Sequence, residues 1–226
     1  MSIRTDMAAE SFSQAGGAEK LQGVKVKNKV IENARLEVTD ITIETQEAAE
    51  KLGRPVGRYI TLTATDSTFD MYSDSFRERA EVIAKAIGEL CGGCERFLAV
   101  GLGNYALTSD AVGPLTAEKI FATRHIKSLA KEIDTDDLGE VTVIQTGVLG
   151  NTGIESSEQV KAIAERVRPQ AVIAVDALAC SELSNLGRTI QLCNTGISPG
   201  SGVENARKEL SLSTLGVKCI AIGVPT

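Results

Sequence analysis

Two aspartates stand where this chain could carry out acid–base chemistry. Asp176 follows directly on the apolar run Ala171-Val172-Ile173-Ala174-Val175. Asp110 follows Phe97-Leu98-Ala99-Val100 and the loop Gly101-Leu102-Gly103-Asn104. Short apolar runs of this kind read as buried parallel strands. In open α/β sheets the ligand crevice lies outside the carboxyl ends of such strands. Two carboxyl groups brought together there can share a proton, one as acid and one as base, and activate a water between them. That chemistry is hydrolysis. Each aspartate also has a plainer reading. Asp110, in Thr108-Ser109-Asp110, suits the N-cap of a following helix. Asp176 is harder to reduce to structure, because a charge placed directly after five apolar residues needs a partner or a task.

Other motifs compete less well. Gly101-Leu102-Gly103-Asn104-Tyr105-Ala106 has the GxGxxA spacing of a dinucleotide fingerprint. Asp110 would repel a pyrophosphate at the helix start, and the next strand ends in Gln145-Thr146 rather than in a ribose-binding acid, so nucleotide binding is disfavoured. The single histidine, His125, falls within an expected helix and away from the strand ends, which argues against Ser–His–Asp or Cys–His catalysis. Cys91-Gly92-Gly93-Cys94 has no second CxxC and no nearby histidine, so neither a zinc site nor any other metal or cofactor is expected. Gly200-Ser201-Gly202 could turn backbone amides toward an oxyanion or a substrate, or could simply form a tight turn. Both readings stay open.

The elements that must position these residues follow from patterning. Strands are expected at 97–101, 141–145, 171–175, 188–193 and 217–222, and helices at about 112–131, 155–168 and 202–210. This alternation predicts an α/β fold: a mostly parallel twisted sheet with helices on both faces. Before it, Val24-Lys25-Val26-Lys27, the alternating stretch 36–43 and Tyr59-Ile60-Thr61-Leu62-Thr63 predict a small N-terminal β region. A helix is expected within 74–91. Residues 1–20 are small and polar, so a mobile segment is expected there, with residues 21–226 as a single domain. The chain stops just after its last strand, which reads as a C-terminal truncation.

Composition narrows the classes. With 42% apolar and only 4% aromatic residues, and no tryptophan, the core must be aliphatic. A net charge of -6 argues against direct nucleic-acid binding through a basic surface. No apolar run reaches the roughly 20 residues of a membrane span, and the N-terminus lacks a signal-peptide core. Five cysteines, an odd number, fit a reducing compartment, so a cytoplasmic location is expected.

Taken together, the segments Arg4-Thr5-Asp6-Met7-Ala8-Ala9-Glu10, Val100-Gly101-Leu102-Gly103-Asn104, Asp110-Ala111-Val112-Gly113-Pro114, Thr152-Gly153-Ile154-Glu155, Ala174-Val175-Asp176-Ala177-Leu178-Ala179 and Thr195-Gly196-Ile197-Ser198-Pro199-Gly200-Ser201-Gly202 resemble the germination proteases of spore-forming bacteria. The resemblance runs through nearly the whole chain. It implies a phosphorylase/hydrolase-like fold and an atypical aspartic endopeptidase that degrades small acid-soluble, DNA-binding spore proteins in the spore core. It implies that Asp110 and Asp176 are the essential pair. It also implies a zymogen that removes its own N-terminal segment, here by cleavage between Asp6 and Met7, and assembly as a tetramer. Ser109 and Asn194 depart from the family's usual proline and aspartate. The nickel-hydrogenase maturation endopeptidases share a Gly-x-Gly-Asn loop and a strand-end aspartate, but their pattern needs a later histidine that this sequence lacks. A catalytically impaired truncated relative is the remaining alternative.

Overall fold

The computed structural model describes residues 5–17, 21–66, 68–129, 135, 138–198 and 209–226. Alternating and fully apolar stretches produce two different kinds of sheet, carried by two compact units. Met1–Leu90, Leu178–Thr195 and Ile222–Thr226 make up one unit, and Cys91–Ala177 with Gly196–Ala221 the other.

In the first unit, β1 (Val24–Ile31), β2 (Leu36–Ile43) and β3 (Gly57–Ala64) form an antiparallel meander, and β7 (Thr189–Cys193) pairs antiparallel with β3. The β1–β2 turn closes through Arg35, one of two non-glycine residues at positive φ among the described residues. Helix α2 (Gln46–Leu52) starts where the Thr45 hydroxyl accepts from the Ala48 amide, and stops at Gly53 in the left-handed region. Helix α3 (Phe76–Cys91) lies within the expected 74–91. Its Arg79 is 2% exposed and donates to the carbonyls of Ala34 and Thr68 and to Asp66. Ala34, Leu36 and Ala64 form a small core, with Ile31, Phe69 and Val82 against it. Residues 8–14 form a further helix, α1 (Ala8–Gln14).

The second unit holds β4 (Arg96–Leu102), β5 (Glu140–Gly147) and most of β6 (Ala171–Leu178). Strand β4 runs parallel to both of its neighbours, β5 and β6. The short helix α6 (Leu149–Thr152) and then α7 (Ser156–Val167) connect β5 to β6, the crossover that two strands parallel to β4 on its opposite sides require. Strand β8 (Lys218–Pro225) contributes its first half to this unit, where the order is β8-β6-β4-β5, and its second half to the first unit, where it follows β7. The core is aliphatic: Leu98, Val100, Leu102, Val160, Val172, Ala174 and Leu210. Burying each such side chain contributes about 1.5–3 kcal/mol.

The expected helix at 112–131 is broken. Helix α4 (Val112–Lys119) ends because Ile120 is extended, and α5 (Arg124–Leu129) begins afterwards. Thr123, between them, is buried. Its hydroxyl donates to the Gly139 carbonyl and accepts from the Val141 amide, so this β-branched residue is bound to β5 instead of continuing a helix. Of the expected helix at 202–210, residues 202–208 lie outside the described residues. Leu210 pairs with Ile197 in an isolated bridge, and α8 (Leu212–Leu215) follows. Among the described residues, no helix is long and apolar enough to cross a membrane.

Candidate active site

Strand β6 delivers Asp176. Six of its eight positions are buried, and Asp176 itself is 6% exposed. A carboxylate in that setting must be hydrogen-bonded. Its Oδ1 accepts from the Ala177 amide at 2.9 Å.

Asp110 arrives by a different route. Beyond β4 the chain turns at Gly103, whose φ of +110° favours glycine. A short 3-10 turn over Thr108–Asp110 then leads into α4. The capping role open to Asp110 is not taken, because the residue before α4 is Ala111, with no side-chain cap. The Asp110 side chain instead turns back on its own loop. Its Oδ2 accepts from the Asn104 amide at 2.8 Å, and its backbone carbonyl accepts from the same amide at 3.0 Å. The Asp110 amide in turn donates to the Leu107 carbonyl at 2.8 Å. The loop is therefore closed on itself around the carboxylate, with Tyr105 and Leu107 exposed at its tip.

Glycines fix how closely the two aspartates' elements approach. In the β4–β6 ladder Gly101 lies opposite Val175, the residue before Asp176. Gly113, three residues after Asp110, is pressed against both strands. A Cβ there would lie 2.1 Å from the Leu102 carbonyl oxygen and 2.4 Å from the Val175 carbonyl oxygen. Gly101 accepts the helix from the other side, since a Cβ on it would lie 2.3 Å from the Gly113 carbonyl oxygen. The start of α4 thus rests on the peptide unit that joins Val175 to Asp176. On the other flank of β4 the register with β5 shifts between Gly101 and Leu102, a bulge at the same level of the sheet. There the Gln145 side chain donates to the Pro114 carbonyl at 3.2 Å, tying β5 to the first turn of α4.

The other expected positions separate clearly. Gly200, Ser201 and Gly202 lie outside the described residues. His125 is exposed, the second residue of α5, and Arg124 pairs with Glu140 at 3.3 Å. Cys91 and Cys94 sit where α3 ends, both as free thiols. Burial, first of all, pushes the Cys91 thiol up. No group of three or more potential metal ligands occurs among the described residues.

Asp6 and Met7 belong to the first unit and are held tightly there. Met7 is 1% exposed. The Asp6 amide donates to the Ala179 carbonyl at 2.8 Å, and Asp6 Oδ2 accepts from the Ala179 amide at 3.0 Å. Gln191 spans the next residue. Its Nε2 donates to the Asp6 carbonyl at 3.1 Å and its Oε1 accepts from the Ala8 amide at 2.6 Å. Glu10, 6% exposed, accepts from the Ser181 amide and hydroxyl, the Glu182 amide and the Asn185 side-chain amide. Burial opposes its charge, but these hydrogen bonds and one from Thr5 outweigh burial and bring its pKa down to about 2. Sequence reasoning missed Gln191, Asn185 and Ser181. The one available signal was a glutamine in the middle of an otherwise apolar strand, Thr189-Ile190-Gln191-Leu192-Cys193.

A strand-end aspartate and a glycine-packed aspartate loop, on parallel strands, fit a hydrolase built on an α/β sheet. The family model described as germination protease matches residues 3–226, and the chain belongs to that family of proteases. A germination protease from Clostridium perfringens is 39% identical over 99% of this chain and 70% of its own length. One from Clostridium tetani is 40% identical over the whole of this chain and 70% of its own. Among solved structures, a NiFe hydrogenase maturation protease from Thermococcus kodakarensis covers 62% of this chain and 80% of its own, at 20% identity and a TM-score of 0.40.

Proposed function

We propose that this chain is a self-processing endopeptidase that opens the degradation of small acid-soluble spore proteins, using a water activated between Asp110 and Asp176. The observation that carries this reading is the seat of Gly113 on the Val175 carbonyl, which joins the Asp110 loop to the strand that bears Asp176. One carboxylate takes a proton from the water as its oxygen attacks the scissile carbonyl carbon. The other carboxyl protonates the departing amine, so that the C–N bond breaks with charge balanced. Neither role is assigned to one residue alone. No metal or cofactor enters the step.

The same activity cuts the chain's own Asp6–Met7 bond and converts a zymogen to the working enzyme. The protein acts as a homo-oligomer, a tetramer, in the cytoplasm of the developing spore. Its partners are spore proteins, not nucleic acid or membrane. Mass spectrometry of purified protein tests the core of this. The unaltered chain loses residues 1–6 and cleaves a spore-protein peptide, whereas Asp176→Asn and Asp110→Asn each leave both intact. Processing by either purified variant at the unaltered rate would remove the paired-aspartate mechanism.

A further inference from the structure

Cys91 and Cys94 are separated by two glycines, and the fold brings the second sulfur back onto the first residue. Gly92 and Gly93 both take positive φ, +60° and +77°, so the chain turns tightly where α3 ends. The Cys94 thiol donates to the Cys91 carbonyl at 3.0 Å. Lys218, the first residue of β8, donates to the same oxygen at 3.0 Å. That carbonyl therefore keeps a donor when the Cys94 sulfur turns away to react. Both cysteines and Lys218 belong to the second unit. The two sulfurs differ in access. Cys91 is 4% exposed, whereas Cys94 is half-buried. An oxidant arriving from solution meets Cys94 first, and Cys91 is placed to resolve what forms there. Burial, and then the neighbouring Cys94, pushes the Cys91 thiol up. A thiol that ionises reluctantly is a slow leaving group, so a bond made to it persists.

We propose that Cys91 and Cys94 form a reversible thiol–disulfide site that closes by exchange with a small disulfide of the glutathione class. Cys94 loses its proton to solvent and its sulfur attacks one sulfur of the small disulfide. The small S–S bond breaks and releases one thiolate, which takes up a proton. Cys91 then loses its proton, and its sulfur attacks the Cys94 sulfur of the mixed disulfide, expelling the second small thiol. Two protein thiols are oxidised and one small disulfide is reduced to two thiols, a balanced two-electron exchange. The closed ring joins the last residue of α3 to the residue two before β4, the strand that leads to the Asp110 loop. Folding favours closure because the two glycines are already fixed in the turn, whereas in the unfolded chain they are highly mobile. Nothing in this site depends on the endopeptidase reading.

Both cysteines fall in one tryptic peptide, residues 86–96, bounded by Lys85 and Arg96. The unaltered full chain is equilibrated with mixtures of reduced and oxidised glutathione, quenched with acid, unfolded, alkylated, digested and read by mass spectrometry. In the folded protein this peptide is expected to appear unalkylated and two hydrogens lighter. At a fixed level of reduced glutathione, half-closure should need at least about tenfold less oxidised glutathione than it does in concentrated urea. Cys91→Ser should hold glutathione on Cys94 as a mixed disulfide, and Cys94→Ser should leave Cys91 as a thiol. A peptide that stays a dithiol, or only carries glutathione, at every mixture overturns the proposal. So does closure that is equally easy in urea, which would leave Cys91-Gly92-Gly93-Cys94 a plain turn at a helix end. The deciding comparison uses the unaltered chain alone, so a poorly folding cysteine variant does not obscure it.

Discussion

Replacing Gly113 with alanine tests the packing that joins the two aspartates' elements. The new Cβ would stand 2.1 Å from the Leu102 carbonyl oxygen, 2.4 Å from the Val175 carbonyl oxygen and 2.5 Å from the Leu102 amide nitrogen. Ordinary contact begins near 3.4 Å, so the start of α4 must back away by about 1 Å. All three obstructing atoms are backbone atoms of central strands, which cannot swing aside as a side-chain end could. Overpacking of this kind costs about 1–3 kcal/mol, and in a chain of this size that lowers the melting temperature by about 2–12 °C. The catalytic loss should be larger. A displacement of about 1 Å at a reacting group costs on the order of 100-fold in rate, and Asp110 rides on the segment that moves. Peptide cleavage and thermal unfolding are measured side by side. Gly150→Ala serves as the control, because nothing lies within 4 Å of its added Cβ, and it should shift stability by no more than about 0.5 kcal/mol. If Gly113→Ala cleaves and melts like the unaltered protein, the packing does not hold the site in the way argued.

Gly103→Ala should fail for two reasons, its φ of +110° and a Cβ set 2.2 Å from the Asp110 carbonyl oxygen. It should lose most cleavage and at least about 1 kcal/mol of stability, read by denaturant unfolding. Glu10 carries a pH signature. Its carboxylate titrates near 2 in the folded protein, against an ordinary 4.5. The stabilisation is therefore fully present above about pH 4.5 and is lost as pH falls toward 2. At about 1.4 kcal/mol per pH unit it is on the order of 3 kcal/mol, and Glu10→Gln should flatten the stability-versus-pH curve across that window. Arg79→Ala removes the donor to the Ala34 and Thr68 carbonyls and leaves Asp66 its pairing with Arg35, and should cost about 1–3 kcal/mol in thermal or denaturant unfolding. A loss under about 1 kcal/mol would mean that water takes over the arginine's contacts.

Some of this was legible from residue order and some was not. Strands β4 and β6 stood out because both of their faces are buried, so the apolar runs are unbroken and the acids beyond them conspicuous. The seat of Gly113 could not be read, since a glycine in Ala111-Val112-Gly113-Pro114 looks like any helix start until a carbonyl from residue 175 is placed against it. The break between α4 and α5 was hidden for a related reason. Local spacing favours a continuous helix, and Thr123 leaves it to bond with residues 139 and 141. The segment Ala8–Gln14 reads as polar and mobile because its ordering partners, Ser181, Asn185 and Gln191, lie more than 170 positions away along the chain.

The loop that carries Asp110 also holds one of only three tyrosines, Tyr105, in a chain without tryptophan. Tyr59 is buried and bonded to the Pro55 carbonyl, while Tyr72 and Tyr105 are exposed. With no indole to drain excitation, ultraviolet emission from this protein comes from phenols alone, and one of the two wet ones sits five residues from the acid. With Tyr72 replaced by phenylalanine, a change in that glow on adding peptide would report the loop's surroundings without any attached dye.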